Sequence, residues 1–271
     1  MDIIKYIILG ILQGITEPLP ISSSGHIYIL KAMLNTTIFN DLSLEIFLNF
    51  ASFIAIIIIF KNDVWELIKG FINYIKTHGK ESKEEFKYCW LLVVGTIPVA
   101  VLGFFTKDLL EDLLSKNIFL VGIGFLVTGL SLLMVLDTKG KKKDKDITFK
   151  DAALIGIFQA VAIAPGISRS GMTLVGCLLN GLDSKTSLKY SFMLYLPVSV
   201  GTMISGIADF KARTGVVTIN MVLYYLVGMI AAGLLTYLSY NWLTKVVEKG
   251  KLWRFSIYLF AIAIFTIMIF I

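Results

Sequence analysis

The stretch "LQGITEPLPISSSGH", residues 12–26, places a carboxylate, three serines and a histidine inside an otherwise apolar N-terminal region. Glu17 follows more than a dozen mostly apolar residues, and Pro18 and Pro20 break the chain directly after it. The apolar segment is therefore shorter than the roughly 20 residues that a full membrane crossing needs. Since a carboxylate at membrane depth is unfavourable unless it faces a wet or paired site, the stretch indicates a functional site built on broken helices.

The composition of the whole chain places this stretch in a membrane protein. Of the 271 residues, 56% are hydrophobic, and the mean hydropathy is +0.80. A soluble domain of this composition could not cover its surface with polar groups. Long unbroken apolar runs, such as "IFLNFASFIAIIIIF" at residues 46–60, favour helices over the alternating strands of a transmembrane barrel. We therefore predict an all-α, multi-pass integral membrane protein.

The apolar segments fall into full spans and shorter pieces. Six are long enough to be full spans, namely residues 43–60, 88–105, 118–136, 187–207, 217–238 and 253–271. Two further apolar regions are cut short by Pro18 and by Pro165, and each is followed by a second short apolar piece. Two half-helices joined by a polar break are typical of a re-entrant hairpin, which enters and leaves the bilayer on one side. We predict such hairpins over residues 3–34 and 151–182.

The two predicted hairpins resemble each other in sequence. An offset of 146 residues aligns Gln13 with Gln159 and brings the pattern I-S-x-S-G into register in both copies. Each hairpin is followed by three spans, so we predict two repeats, residues 1–146 and 147–271. Because three is an odd number, the second repeat starts on the opposite side of the membrane, which makes the repeats inverted. In such architectures the site lies near the midplane, where the broken helices meet.

The distribution of positive charge predicts the orientation. The segments between spans on one face hold 18 of the 25 Lys and Arg residues, and those on the other face hold six. The first set comprises residues 61–87, 137–150, 182–189 and 239–254, which we interpret as cytoplasmic loops. On this layout the first hairpin opens to the outer face and the second to the cytoplasm.

Glu17 and the serine cluster after it are candidate catalytic or ligand-binding residues. Gln13 lies one helical turn before Glu17 on the same helix face, and two oxygen-bearing side chains there could bind a divalent cation or position a proton. The alternative is that Glu17 lies at the interface and only caps the break. A serine and a glycine before a helix also suit capping, but capping does not account for His26. Histidine can act as general acid, base or nucleophile, and a serine within reach could be an activated nucleophile.

The second hairpin offers the complementary charge. Arg169 lies within "PGISRSGMT", residues 165–173, at the predicted start of a half-helix. Its planar guanidinium, the neighbouring hydroxyls and the free N–H groups of a helix N-terminus together suit a phosphate or another oxyanion. The predicted phosphate-binding residues are Arg169, Ser168, Ser170, Thr173, Ser22 and Ser24. Placed opposite Glu17 and His26, this group indicates phosphoryl-transfer chemistry, although the residues do not name the substrate.

At these motifs the chain closely resembles the undecaprenyl-diphosphate phosphatase family of the bacitracin-resistance-protein type. The family's first motif is present as Gln13, Glu17 and "LPISSSGH", and its second, "PGxSRSGxT", as "PGISRSGMT". The resemblance extends along the whole chain, including "SFMLYLPVSVG" at residues 191–201. Two departures are visible: Gln13 stands at the first acidic position, and Pro18 follows the glutamate where an aromatic residue is common.

The resemblance implies a phosphatase of the bacterial cell membrane. It would remove the terminal phosphate of undecaprenyl diphosphate, recycle the lipid carrier of peptidoglycan synthesis and confer bacitracin resistance, with its active site opening to the outer face. Undecaprenyl diphosphate and membrane lipids are the expected partners, nucleic acid is not expected, and a homodimer is an open alternative. Because inverted repeats are also a transport architecture, a polyprenyl-phosphate flippase is the alternative hypothesis. A lipid-binding scaffold without turnover is a third.

We assign catalytic roles to Glu17, Ser23, His26 and Arg169. Ser23 is the preferred nucleophile because it aligns with Arg169 in the other repeat, so pseudo-symmetry should bring the two together. His26 lies about one helical turn later and could take the serine proton, while His26 or water remain open as nucleophiles. A diphosphate carries more charge than one arginine neutralises, so we also expect Mg²⁺ or Ca²⁺ bound by Glu17 and Gln13 with substrate oxygens.

Overall fold

The computed structural model is built from α-helices that begin and end close to the breaks in the apolar pattern. It describes residues 2–34, 42–116, 118–136, 138, 140–213 and 219–270. Within these ranges the helices are α1 (Asp2–Thr16), α2 (Ser23–Leu34), α3 (Leu42–Ile59), α4 (Lys61–Thr77), α5 (Lys83–Lys116), α6 (Phe119–Leu133), α7 (Phe149–Val161), α8 (Arg169–Leu179), α9 (Ser184–Arg213), α10 (Ile219–Glu248) and α11 (Trp253–Phe270). The all-α prediction is confirmed.

The six predicted spans each correspond to one helix: α3, α5, α6, α9, α10 and α11. By length and composition, three of the described helices could cross a membrane unaided, namely the apolar first part of α5, α10 and α11, and a bent α3–α4 pair would be a fourth. The helix α6 is shorter than its predicted span of residues 118–136. Residues 217, 218 and 271 of the predicted spans lie outside the described residues.

Two pairs of short helices occupy the predicted hairpins. The pair α1 and α2 is joined by residues 17–22, and the pair α7 and α8 by residues 162–168. The prolines in both connections stop the helices by removing a backbone donor and clashing with the preceding turn. Ser168 then caps α8 by accepting a hydrogen bond from Gly171 N at 3.1 Å. Each polar connection is thus a helix break followed by a new helix N-terminus.

Residues 61–87, which we predicted to be a loop, form α4 and the first turn of α5. The many charged residues of this segment led to the prediction of a loop, although the segment forms an amphipathic helix. Gly70, Phe71 and Tyr74 pack on α5, with the Tyr74 and Phe86 ring centroids 4.3 Å apart. A search for membrane-length apolar runs misses such a helix, because its apolar residues recur at helical spacing and not continuously. The axis of α4 is bent by 79° from that of α3.

The exposed side of α4 indicates that this helix lies at the membrane surface. Trp65, Ile68, Ile72 and Ile75 form an exposed apolar stripe, and Lys69 lies beside it with its ammonium 4.9 Å from the Trp65 ring centroid. An apolar stripe flanked by lysines suits a helix lying in the headgroup region. In a variant whose other three tryptophans are phenylalanine, we expect Trp65 fluorescence to be quenched by lipids brominated near their carbonyl end. Strong quenching by aqueous iodide with none by lipid would contradict this placement.

Close helix packing holds the short helices in place. The helix α1 packs along α10, and α7 packs along α5. Small residues allow this approach, since a Cβ on Gly10 would lie 2.2 Å from Gly228 O, and one on Gly156 would lie 2.5 Å from Gly95 O. The helices α3 and α9 also pack on each other, as do α6 and α11. The two helix breaks are therefore held at fixed positions by the longer helices.

Candidate active site

The two helix breaks are in direct contact with each other. The Arg169 guanidinium, on the first turn of α8, donates to Glu17 Oε1 beyond the end of α1. Ser170 Oγ donates to Leu19 O at 2.9 Å, which ties the second break to the backbone of the first. The structure thus brings together the carboxylate and the guanidinium that the sequence predicted, across a separation of 152 residues.

The Glu17 carboxylate is the hub of the site. Its Oε2 atom accepts hydrogen bonds from Ser23 Oγ and, at 2.9 Å, from Gln13 Nε2. The Gln13 amide also donates to Asn49 Oδ1 at 2.7 Å. Because Glu17 is nearly buried, with 7% of its side chain exposed, its charge is balanced by Arg169 and by these donors. Glu17 therefore serves a paired, hydrogen-bonded site and does not simply cap the break.

Two residues of this site escaped the sequence analysis. Asn49, on α3, lies inside an apolar run, where an isolated amide was the only available signal. Tyr195, on α9, places its ring under Arg169, with the guanidinium carbon 4.3 Å from the ring centroid. This cation–π contact holds the guanidinium plane against an aromatic face. Tyr195 lies within "SFMLYLPVSVG", so the family resemblance covered it without indicating its role.

The aligned serines make the same hydrogen bonds in both breaks. Ser22 and Ser24 have their hydroxyl oxygens 3.4 Å apart, and those of Ser168 and Ser170 are 3.2 Å apart. Ser22 Oγ accepts from Gly25 N at 3.3 Å, as Ser168 Oγ accepts from Gly171 N at 3.1 Å. Ser22 and Ser168 therefore act as helix caps. Their predicted contacts with phosphate stay predictions.

Thr173 lies one turn into α8, and its hydroxyl is hydrogen-bonded to other groups of the protein. Its hydroxyl donates to Arg169 O at 2.9 Å and contacts the hydroxyl of Ser191 on α9. These bonds hold the first turn of α8 against α9 and so support the backbone that carries Arg169. A direct role of Thr173 in holding phosphate stays a prediction.

The hydrogen bonds of His26 go to groups other than Ser23, whereas its spacing led us to expect a proton transfer between the two. Its ring nitrogens contact Ser22 O at 2.7 Å and Tyr258 Oη at 2.6 Å. The Ser23 hydroxyl is instead bonded to Glu17. A separation of three residues places two side chains on neighbouring parts of a helix surface, but it does not decide towards which partner each one turns. In this structure the base that touches Ser23 is Glu17.

A cavity of about 250 Å³ gives access to these groups. Glu17, Arg169 and Ser23 line it, together with Ser22, Ser24, Asn49 and Gln159. Gln159, the residue aligned with Gln13, has a buried side-chain oxygen that has no hydrogen-bond partner among the described residues. The cavity therefore combines a guanidinium and several hydroxyls, which can donate to phosphoryl oxygens, with a carboxylate that can accept a proton.

The residues around Glu17 offer little to a metal held by protein alone. Over the described ranges no group of three or more His, Cys, Asp or Glu side chains could hold an ion. Glu17 is the carboxylate of the site, and Gln13 and Asn49 add amide groups. Mg²⁺ is commonly held by one or two carboxylates plus substrate phosphates and waters. The donor set fits such a shared ion and does not fit a closed structural site.

Comparison with known proteins gives consistent matches over nearly the whole chain. Residues 6–265 match the family model described as bacitracin resistance protein BacA. The chain is 39% identical over 266 residues to "Undecaprenyl-diphosphatase 2" of Bacillus thuringiensis, covering 98% of this chain and 97% of that protein. It is also 39% identical to "Undecaprenyl-diphosphatase 1" of Bacillus licheniformis, covering 97% and 96%, and to "Undecaprenyl-diphosphatase" of Oceanobacillus iheyensis, covering 94% and 92%.

Proposed function

The chain belongs to the bacitracin resistance protein family, and from this premise we propose that it hydrolyses undecaprenyl diphosphate to undecaprenyl phosphate and inorganic phosphate. The observation that carries the proposal is the contact of Ser23 and Arg169 with one carboxylate, Glu17, at the meeting point of two broken helices. The product is the lipid carrier of peptidoglycan synthesis, so this activity would recycle the carrier and confer resistance to bacitracin.

The contact between Ser23 and Glu17 supports covalent catalysis. As Ser23 Oγ attacks the terminal phosphorus, its proton passes to Glu17 Oε2, which already accepts a hydrogen bond from it. An O–P bond forms to serine, the anhydride P–O bond breaks, and undecaprenyl phosphate leaves with the electron pair. Glu17 gives this proton to the departing undecaprenyl phosphate and so returns to its ionised form. Water then attacks the phosphoserine and passes a proton to Glu17, and the serine O–P bond breaks as Glu17 returns that proton to Ser23 Oγ. This second step releases inorganic phosphate and regenerates Ser23.

Arg169 supplies the charge that a phosphoryl group requires. Its fork of N–H donors can bind two phosphate oxygens at once, and the Tyr195 ring holds the guanidinium plane in position. The N-terminus of α8 adds backbone N–H groups and the positive end of the helix dipole. Around it, Ser22, Ser24, Ser168, Ser170 and Thr173 are the proposed hydroxyl donors. Stabilisation of this kind acts where negative charge develops in the transition state.

We also propose that the two repeats are inverted and that the active site opens to the outer face. The helix α1 packs on α10, and α7 packs on α5. In the two repeats α1 corresponds to α7 and α10 corresponds to α5, so the same pair of helices packs together in both. The matched hydrogen bonds of Ser22 and Ser168 support the same correspondence. The charge distribution supports an active site that faces the outer side of the bacterial cell membrane.

We further propose that Mg²⁺ or Ca²⁺ enters with the substrate, with Glu17, Gln13 and phosphate oxygens as ligands. Held there, such an ion would neutralise phosphate charge and polarise phosphoryl oxygens. We expect a chelator to abolish phosphate release and added Mg²⁺ or Ca²⁺ to restore it. Glu17→Gln should weaken the dependence on metal as well as the rate. Release that is indifferent to chelator would leave Glu17 as a base alone.

The proposed activity is tested by phosphate release from undecaprenyl diphosphate by the purified protein in detergent. We expect one inorganic phosphate per lipid converted. A protein that only moves the monophosphate lipid across the membrane would release none, so the same assay separates the phosphatase from the flippase alternative. A lipid-binding scaffold would also release none.

A further inference from the structure

Ser22, which precedes the proposed nucleophile, has an unusual backbone conformation. Its φ is +68°, in the left-handed region that residues other than glycine rarely adopt. Such conformations persist where surrounding contacts hold them, and they cluster at functional sites. The peptide between Ser22 and Ser23 sets the direction in which the Ser23 hydroxyl leaves the backbone. Whatever holds this peptide therefore aligns Ser23 with Glu17.

His26 holds this peptide with its side chain. Its Nδ1 lies 2.7 Å from Ser22 O, and a carbonyl oxygen can only accept, so Nδ1 carries the hydrogen. The backbone N–H of His26 also donates to Ser22 O at 3.3 Å. In a neutral ring the other nitrogen, Nε2, is then an acceptor, and Tyr258 Oη donates to it at 2.6 Å. Both nitrogens of the imidazole are thereby engaged.

Tyr258 also fixes the plane of the imidazole. The two rings are stacked, with centroids 5.6 Å apart and planes inclined by 6°, and Phe125 closes another side at 5.1 Å. Both rings border an apolar groove of about 670 Å³ between the first hairpin and α10 and α11, lined by residues such as Ile11, Leu30, Trp242 and Ile262. Apart from Arg254, which also lines this groove, such surroundings offer Nε2 few substitute donors if the Tyr258 hydroxyl is removed.

We propose that Tyr258 is a positioning residue of the active site that acts through His26. The hydroxyl of Tyr258 orients the His26 ring, the ring holds the carbonyl of Ser22, and this peptide directs Ser23 at Glu17. The inference rests on the proposed phosphatase function and adds α11 to the elements that build its site. It gives His26 the role of a backbone clamp and leaves proton transfer to Glu17.

The first test uses the histidine itself and does not depend on turnover. The chain has only two histidines, His26 and His78, so ¹⁵N-labelled histidine gives a spectrum that the variant His78→Gln assigns. We expect the Nδ1–H tautomer for His26, and a shift of its Nε2 signal in Tyr258→Phe. The matched control Tyr237→Phe, whose side chain on α10 is similarly exposed, should leave both signals in place. An Nε2–H tautomer for His26 would overturn the proposal.

The second test separates positioning from acid–base catalysis. Tyr258→Phe keeps the stacked ring, and we expect its kcat to fall about tenfold with little change in KM, because one buried acceptor loses its donor. The amide nitrogen of asparagine can take the place of Nδ1, so His26→Asn should retain most of the activity that His26→Ala loses. In the His26→Asn background Tyr258→Phe should have no further effect, since both changes act on one unit.

The outcomes separate the inference from the function on which it rests. A wild-type protein that releases no phosphate refutes the proposed function, whereas the ¹⁵N spectrum still reports on the clamp. With an active wild type, a folded His26→Asn protein as inactive as His26→Ala would make His26 an acid–base or nucleophilic residue. An unchanged kcat in Tyr258→Phe would equally overturn the proposal.

Discussion

Replacing Ser23 by alanine should lower phosphate release from undecaprenyl diphosphate roughly a thousandfold or more, because the proposed covalent route loses its nucleophile. The hydroxyl of Ser23 is the one that donates to Glu17 Oε2. Glu17→Gln should have an effect of similar size, since an amide cannot take the serine proton. The double variant should be scarcely worse than either single one, because residues of one catalytic unit are strongly non-additive.

The matched control is Ser131→Ala. Ser131 lies on α6 and donates to the backbone oxygen of Val127, away from the cavity. The Ser131→Ala variant loses one hydroxyl, as Ser23→Ala does, but it should keep wild-type turnover. Rapid quenching of the wild type during turnover, followed by mass spectrometry, should find phosphate on Ser23. A phosphohistidine at position 26, or a Ser23→Ala protein with nearly full activity, would disprove the assignment.

Arg169→Lys should lose most activity although it keeps the positive charge. Lysine has no planar fork for two phosphate oxygens and no flat face to stack on the Tyr195 ring, from which the Arg169 guanidinium carbon lies 4.3 Å. Loss of one buried charge contact of this kind typically removes about 2–5 kcal/mol of transition-state binding. The measurement is kcat and KM for undecaprenyl diphosphate, compared with a thermal-unfolding curve that shows the variant is folded.

Arg254→Lys makes the same exchange outside the cavity that Glu17 and Arg169 line, at a residue in the wall of the apolar groove that Tyr258 borders. Arg254 lies on α11, with its guanidinium carbon 5.8 Å from the Trp253 ring centroid, so it too stacks on an aromatic ring. We expect its turnover to match the wild type. If Arg169→Lys were also close to wild type, Arg169 would be a structural cation that balances Glu17 and nothing more.

The positions of the broken helices follow from local chemistry, and this is why they could be predicted. Pro98 and Pro197 lie inside α5 and α9, so proline alone does not end a helix here. Pro18, Pro20 and Pro165 mark breaks because serines next to glycines follow them and start new helices. The helical class follows equally directly from the long apolar runs. The candidate residues Glu17, Ser23 and Arg169 were found because polar groups that recur at membrane depth stand out against an apolar background.

The partners of these residues were decided by tertiary structure. Ser23 could have faced His26 or Glu17, and only the packed hairpin shows that it bonds Glu17. His26 instead pairs with Tyr258, 232 residues away, on a helix whose sequence reads simply as a membrane span. The clamp on Ser22 O depends on this distant hydroxyl. Helical spacing reveals which residues share a face, but not which neighbouring helix that face will meet.

The same limit applies to Asn49 and Tyr195, and to α4. Asn49 and Tyr195 join the site only because α3 and α9 pack against the two breaks, and each looked like a single exception within an apolar run. The helix α4 gains stability because Phe71 and Tyr74 pack on α5. The distribution of charged residues in the sequence does not reveal this contact. The sequence by itself therefore determined the class of protein, the helix breaks and the charged pair. Tertiary structure decided the hydrogen-bond partners, because these depend on which side chains distant helices bring within reach.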